Sequence, residues 1–480
     1  MSLVITDGMI EGHRLDLRVE GGVVTELAPE LRPRSDDEVV DAEGRLVLPG
    51  LWDHHVHLRA LAAAAGSVPV GPPQVVDLDG LATALRRAAA LAMDGGAAGW
   101  AADKAAVRQQ RWVRAVGYHE SVAGVLDRCS LDELVPDLPV RVQHRSGALW
   151  VVNSAGVEAL GLDAVWLAGV ERDAAGYPTG RLFRLDGWLS AQLPAAPLDL
   201  AAVSARLASF GVTGVTEATP GATEDGLRGL VSDIEAGRVV QRLHVMCAPD
   251  IRVPVHPRVS RGPQKVLLDD EHLPSLGDLV ELVADSHRLG SAVAVHCVTA
   301  VQLVVTLEAI RLAGPWVGDR IEHAAIVPDD LVPLLVEQGV AVVTNPSFVR
   351  ERGDSYRADV PALDQPDLYR CGSLLAAGVR VAAGTDAPFA SADPWAAMGA
   401  ATDRRTSSGQ VLGKCEAVSP EVALGLFTGR PDDPSTTRRV VPGAPGDLCV
   451  VERPVPGTPW LGSDAVAATV VGGVVVHRRA

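Results

Sequence analysis

Through the middle of the chain, short apolar runs alternate with longer stretches of helical period. Candidate strands lie at 51–58, 214–218, 243–247, 266–268, 292–296, 320–322, 340–344 and 379–383. Their length and apolar, β-branched content fit buried strands, and the segments between them read as helices. In 277–289, for example, Leu279, Leu282, Val283 and His287 share one helical face, and Gly290 follows where a helix ends. Such alternation builds a parallel sheet, and eight strands with helical crossovers predict an α/β fold of the TIM-type (β/α)8 barrel class. An open doubly wound sheet competes, but no G-x-G-x-x-G follows the first strand.

The ends have a different texture. Short strands separated by glycine turns are expected at 3–6, 15–19, 23–27 and 45–48, and again at 447–451, 465–470 and 474–477. Residues 1–48 and 441–480 are therefore expected to build one small β-sandwich-like domain around a barrel at 49–440. More than a hundred residues separate the first barrel strand from the second, far beyond the length of a loop. Residues 59–200 are expected to be an inserted subdomain, opening with an Ala-rich helix at 81–93. Barrel active sites lie at the C-terminal strand ends, so an insertion after the first strand is a candidate lid or substrate-selecting element.

Composition narrows the class. With 480 residues, the chain exceeds one hydrophobic core. Its net charge of −17 argues against nucleic acid as partner, since phosphate binding needs a basic face. Apolar runs stay below the roughly 18–20 residues of a membrane span. The opening Met-Ser-Leu-Val-Ile-Thr-Asp-Gly reads as a strand and turn rather than a targeting segment, which makes the cytoplasm the default location. Cys129, Cys247, Cys297, Cys371, Cys415 and Cys449 form no close pair, so neither a disulfide framework nor a thiolate site is expected.

The chemistry concentrates at strand ends. In Pro49-Gly50-Leu51-Trp52-Asp53-His54-His55-Val56-His57-Leu58, the two-residue strand period points His55 and His57 to one side, half of a metal site. Asp53 shares that side and is expected to orient one of the rings. His296 closes the run Ala292-Val293-Ala294-Val295, and His323 follows Arg320-Ile321-Glu322; each alone would pass for an ordinary histidine, but together they complete four imidazoles. Glu322 is expected to face away from His323. Asp386, in Gly384-Thr385-Asp386-Ala387-Pro388 after the last strand, sits where a barrel places a proton carrier or weak ligand. His13, His119, His244, His256, His272, His287 and His477 lack this context and read as core or surface histidines.

His55-x-His57, His296, His323 and Asp386, in this order, resemble the amidohydrolase superfamily. The finer similarity is to its amidohydrolase-3 branch, the YtcJ-like and N-substituted formamide deformylase group. It is carried also by Ala148–Ser154, Gly176-Tyr177-Pro178-Thr179-Gly180, Arg320-Ile321-Glu322-His323-Ala324 and Pro445-Gly446-Asp447-Leu448. The resemblance implies a metal-dependent hydrolase of non-peptide C–N bonds in amides, formamides or cyclic amides. A divalent cation, zinc by default, lowers the pKa of water towards about 7 so that hydroxide attacks the carbonyl, with Asp386 as base and then acid. His296 or His323 either binds the cation or stabilises the developing oxyanion. The resemblance also places Lys265, in Gln264-Lys265-Val266-Leu267-Leu268-Asp269-Asp270, as a lysine that is carboxylated and bridges two cations; one or two are expected per chain, according to its state. A mononuclear deaminase of the same superfamily is the alternative, and a non-catalytic binding barrel a distant third.

The chain departs from the branch at Ser146-Gly147-Ala148, where relatives carry Ser-Gly-His, and at Arg184, where they carry Glu; His144 and Arg145 lie just upstream of the first. By position and resemblance, Thr179, Gly180, Arg181, Asn345 and Trp395 are the candidate substrate contacts. The expected partner is a small molecule, with homo-oligomerisation left open.

Overall fold

In a computed structural model, residues 2–94, 112–193, 198–453 and 462–479 are described. The chain divides into two compact units, Met1–Leu58 with Leu200–Ala480, and Arg59–Asp199.

In the first unit, strands from both ends of the chain share one sheet. These are β1 (Ser2–Ile10), β2 (His13–Glu20), β3 (Val23–Ala28), β4 (Asp37–Asp41) and β5 (Leu46–Pro49) from the start, with β21 (Leu448–Val451), β22 (Val466–Val471) and β23 (Val474–Arg478) from the end. Their order is β23-β22-β21-β5-β1-β2-β3, with β4 parallel to β1. Alternate side chains such as Leu3, Ile5, Leu17 and Val19 join Leu448, Val450 and Val470 in one core.

The parallel strands that carry the chemistry are β6 (Leu51–Val56), β13 (Val212–Glu217), β14 (Arg242–Val245), β15 (Val259–Arg261), β16 (Gln264–Leu267), β17 (Val293–Cys297), β18 (Arg320–His323), β19 (Ala341–Thr344) and β20 (Val381–Ala383). They pair as two sheets, β15-β14-β13-β6 and β16-β17-β18-β19-β20. One continuously hydrogen-bonded ring of eight was expected. The difference lies in the fourth strand, which changes neighbours at Gly262-Pro263. Gly262 N donates to Val245 O on one side, and Gln264 N donates to Ala292 O on the other. Between them Pro263 has no N–H to give. At the other edges β6 and β20 approach through a Val56–Ala387 bridge, Asp386 N donating to His55 O and His57 N to Ala387 O.

The helix expected at 277–289 is Leu276–Arg288, N-capped by Ser275, whose side chain accepts from Asp278 N. Its His287 is a buried core histidine, with Nε2 3.0 Å from Asp319 Oδ1.

The second unit has a mixed sheet, β11-β12-β10-β9-β8-β7, made of β7 (Val68–Pro69), β8 (Val113–Tyr118), β9 (Val140–His144), β10 (Leu149–Val152), β11 (Val170–Arg172) and β12 (Pro178–Phe183). The helix Leu78–Asp94 buries Leu81, Leu85 and Ala89 against Val113, Ala115, Val140 and Val142. Parts of the expected insertion, 95–111 and 194–197, lie outside the described residues. Among the described residues, no helix is long and apolar enough to cross a membrane.

One buried group makes stability pH-dependent. His244 on β14 is buried, its Nδ1 2.8 Å from Ser260 Oγ, and burial pulls its pKa down from 6.5 to about 3. The unfolded chain takes up this proton below pH 6.5 and the folded chain does not, so stability falls as pH drops from 6.5 towards 3. Between pH 7.5 and 5 the parent is expected to lose about 2 kcal/mol more than a His244→Gln variant, measured by denaturant unfolding. Equal losses would show that His244 charges freely in the folded state.

Candidate metal centre

β6 ends in a cluster whose ring orientations are set one by one. His55 is fully buried, and its Nδ1 meets the Glu322 carboxylate. Glu322 is itself buried and takes Arg320 Nε at 2.5 Å with its other oxygen. Against a carboxylate, His55 Nδ1 is the protonated nitrogen, which leaves a lone pair on Nε2.

The same logic holds for His57. Its Nδ1 lies 3.0 Å from Thr219 Oγ1, and the Thr219 hydroxyl donates to Glu217. With its hydrogen given to Glu217, the hydroxyl accepts from His57 Nδ1–H, and Nε2 again keeps its lone pair. Glu217 also accepts Leu58 N at 2.8 Å, so this carboxylate anchors both the ring and the backbone beyond β6.

His323 follows the same pattern. Asn345 Nδ2 donates to Gly384 O at 2.8 Å, so its Oδ1 must be the acceptor for His323 Nδ1, 2.7 Å away. Burial first, then the neighbouring histidines and Lys265, hold the pKa values of His55 and His323 well below the ordinary histidine value. In all three imidazoles the outer hydrogen bond is thus made at Nδ1, the arrangement that orients ligands at metal sites.

The bare Nε2 atoms of His55 and His57 meet Asp386, and the protonated Nδ1 of His323 lies further off. Its Oδ1 is 3.2 Å from His57 Nε2 and 3.5 Å from His55 Nε2, and its Oδ2 is 3.9 Å from His323 Nδ1. One ligand atom from each of His55, His57 and Asp386 falls within a 4.8 Å group. Lys265 Nζ lies 3.3 Å from His55 Nε2, and burial lowers its pKa from the ordinary lysine value. His296 stands edge-on to His323, with ring centres 4.6 Å apart; His323 is 4.7 Å from His55 by the same measure. The set of His55, His57 and Asp386 therefore fits a divalent cation: two imidazole Nε2 atoms and a carboxylate converge.

Backbone conformation helps to deliver these groups. His323 and Asp386 both have left-handed backbones, φ 70° and 57°, uncommon for non-glycine residues and frequent at functional sites. Glycine is needed at 384, where a Cβ would fall 2.4 Å from His55 Cβ.

Asp53 and Glu322 depart from expectation. Asp53 orients no ring. Its carboxylate accepts Thr385 N at 2.9 Å, Thr385 Oγ1 at 2.5 Å and His55 N at 3.1 Å, tying β6 to the loop of Asp386. Burial pushes this carboxyl up to about 6. Glu322, expected to face away, reaches His55; the positive φ at His323 breaks the alternation that placed the two on opposite faces. Asn345, a candidate substrate contact, holds His323. Trp395 is buried, with Nε1 donating to Phe210 O at 2.9 Å just ahead of β13. Thr179, Gly180 and Arg181 lie on β12 of the second unit, where Thr179 Oγ1 (2.7 Å) and Arg181 Nε (3.2 Å) share the Glu171 carboxylate. Sequence reasoning missed the Glu217–Thr219 support, although an acid ending a wholly buried strand is itself a signal.

Comparison with known proteins agrees with this geometry. N-substituted formamide deformylase of Arthrobacter pascens is 25% identical over 474 residues, covering 86% of this chain and 84% of that protein. Among solved structures, a metal-dependent hydrolase from Pyrococcus horikoshii superposes with a TM-score of 0.69 at 19% identity, covering 96% of this chain and 99% of that one. The 5-methylcytosine deaminase of Klebsiella pneumoniae gives 0.52 at 14%, covering 100% and 98%. These likenesses show a TIM-barrel-type α/β fold. The amidohydrolase family model matches residues 38–477. Spanning most of the sequence, that match places the chain in the amidohydrolase family.

Proposed function

We propose that this amidohydrolase cleaves the C–N bond of a small formamide or related non-peptide amide at the cluster of His55, His57 and Asp386. The observation that carries the reading is the outer hydrogen bond at Nδ1 of His55, His57 and His323, with two bare Nε2 atoms within 3.5 Å of Asp386 Oδ1. His55, His57 and Asp386 would hold the cation, with His296 and His323 completing the set, and zinc suits this mixture of imidazole and carboxylate. When bound, the cation supplies Lewis acidity, polarising the carbonyl and making water nucleophilic near neutral pH.

The protein's own groups do the rest. Asp386 takes a proton from the attacking water and returns it to the departing nitrogen. His323, whose Nδ1–H is taken by Asn345, would offer Nε2 as a ligand rather than a donor to the oxyanion. Lys265 has the lowered pKa that supplies neutral amine, the form that adds carbon dioxide. As a carbamate it would provide oxygen ligands for a second cation; unmodified, it leaves room for one. We also read the two parallel sheets as one eight-stranded barrel, interrupted in its hydrogen bonding where the fourth strand changes neighbours.

The test is metal content by mass spectrometry, combined with formate release from a panel of N-substituted formamides. At least one bound cation, with turnover lost on chelation and restored by zinc, is the expected result. Protein that takes up no metal on reconstitution would overturn the reading. Ammonia release from aminopyrimidines without formamide turnover would replace it with a mononuclear deaminase.

A further inference from the structure

The second unit contains a histidine pair that the catalytic reading does not use. β8 and β9 run parallel with Tyr118 and His144 as register partners. The residue after β8 and the last residue of β9 therefore arrive at the same sheet end. His119 N-caps the short helix Glu120–Ala123, and Glu120 opens it. Both imidazoles turn their Nε2 atoms towards one carboxylate oxygen. His144 Nε2 is 3.0 Å and His119 Nε2 is 3.9 Å from Glu120 Oε2.

We propose that His119, Glu120 and His144 of the second unit form a further divalent-metal site, specific for borderline-soft transition ions such as zinc. The ligand atoms lie within 4.8 Å of one another. A tetrahedral ion with bonds near 2.05 Å separates its ligands by about 3.3 Å, a value bracketed by the observed 3.0 and 3.9 Å. An ion pair between Glu120 and His144 accounts for the first distance; the second, 3.9 Å, is too long for a hydrogen bond.

The outer contacts of the two rings match. His119 Nδ1 is 2.9 Å from Ser121 Oγ, and His144 Nδ1 is 2.7 Å from Ser146 Oγ, each a serine two residues further on. Donation from Nδ1–H to these hydroxyls leaves both Nε2 lone pairs for a cation. The backbone N–H groups of the same serines approach Nδ1 at 3.3 and 3.1 Å and favour the opposite tautomer. Metal binding selects the first arrangement by occupying Nε2. The side chains of His119 and His144 are 17% and 16% exposed and that of Glu120 is 42% exposed, so an ion can enter and leave. Two imidazoles and one carboxylate leave a fourth position for water. The bound ion clamps the ends of β8 and β9 and stabilises the second unit by binding only the folded chain.

The experiment uses the full-length chain in four forms: parent, His55→Ala/His57→Ala, His119→Ala/His144→Ala, and Glu120→Gln. Zinc per chain is measured after dialysis against limiting zinc, with cobalt absorption as a second readout and circular dichroism to confirm folding. The variant without catalytic histidines is expected to retain one zinc and a cobalt spectrum of low coordination number. His119→Ala/His144→Ala is expected to hold one zinc fewer than the parent. Glu120→Gln, which preserves shape, is expected to weaken zinc binding at the second site at least about tenfold. The proposal is overturned if folded His119→Ala/His144→Ala binds as much zinc as the parent, or if Glu120→Gln binds it equally tightly. A parent protein that holds zinc at this site alone, with none lost in His55→Ala/His57→Ala, would sink the proposed hydrolase and leave the second site standing.

Discussion

Asp386→Asn lowers kcat/KM for the active formamide by about a thousandfold or more, while KM and the melting temperature change little. General acid–base groups contribute about 10²- to 10⁴-fold, and Asp386 serves both halves of the reaction. Asparagine keeps a neutral oxygen beside His57 Nε2 and His55 Nε2 but has no basic carboxylate. Steady-state kinetics at saturating zinc make the comparison, so that weaker metal retention does not mimic lost proton transfer. A variant within tenfold of the parent would remove Asp386 from the chemistry.

Glu322→Gln has the other large effect, and it reaches stability and metal binding together. Glu322 is fully buried between the Arg320 guanidinium, also buried, and His55 Nδ1. Glutamine offers one acceptor oxygen where two donors need one each, and its NH2 then faces a donor. Breaking a buried pair in this way costs about 3–5 kcal/mol. The freed His55 ring no longer presents a fixed Nε2, so zinc affinity falls by about 10- to 100-fold. Thermal unfolding of the zinc-free protein isolates the first effect, and competition with a chelator measures the second. Unchanged zinc affinity in a folded variant would mean that His55 is oriented by something other than Glu322.

The proposed pair at His119 and His144 illustrates a limit of reading along the chain. Twenty-five residues apart, each looks like a lone histidine; parallel pairing of β8 with β9 brings their strand ends together.

Strand ends were legible because their signal is local. An apolar run of strand length followed by a histidine or aspartate identifies its own C-terminal end, and the two-residue period places His55 and His57 on one side without reference to any partner. The alternation of such runs with helical segments determined the α/β class in the same way, as did the helix at Leu276–Arg288 with its Ser275 cap. Tertiary structure alone decided which groups orient the ligands. Glu322 on His55, Thr219 and Glu217 on His57, Asn345 on His323 and Asp53 on Thr385 join residues from 22 to 332 positions apart, apart from the local Thr219–Glu217 contact. These pairs depend on strand neighbours and on left-handed turns at His323 and Asp386, where local periodicity ends. The change of partner at Gly262-Pro263 is of the same kind: the proline is visible in the sequence, but which strands lie on either side is a property of the folded sheet.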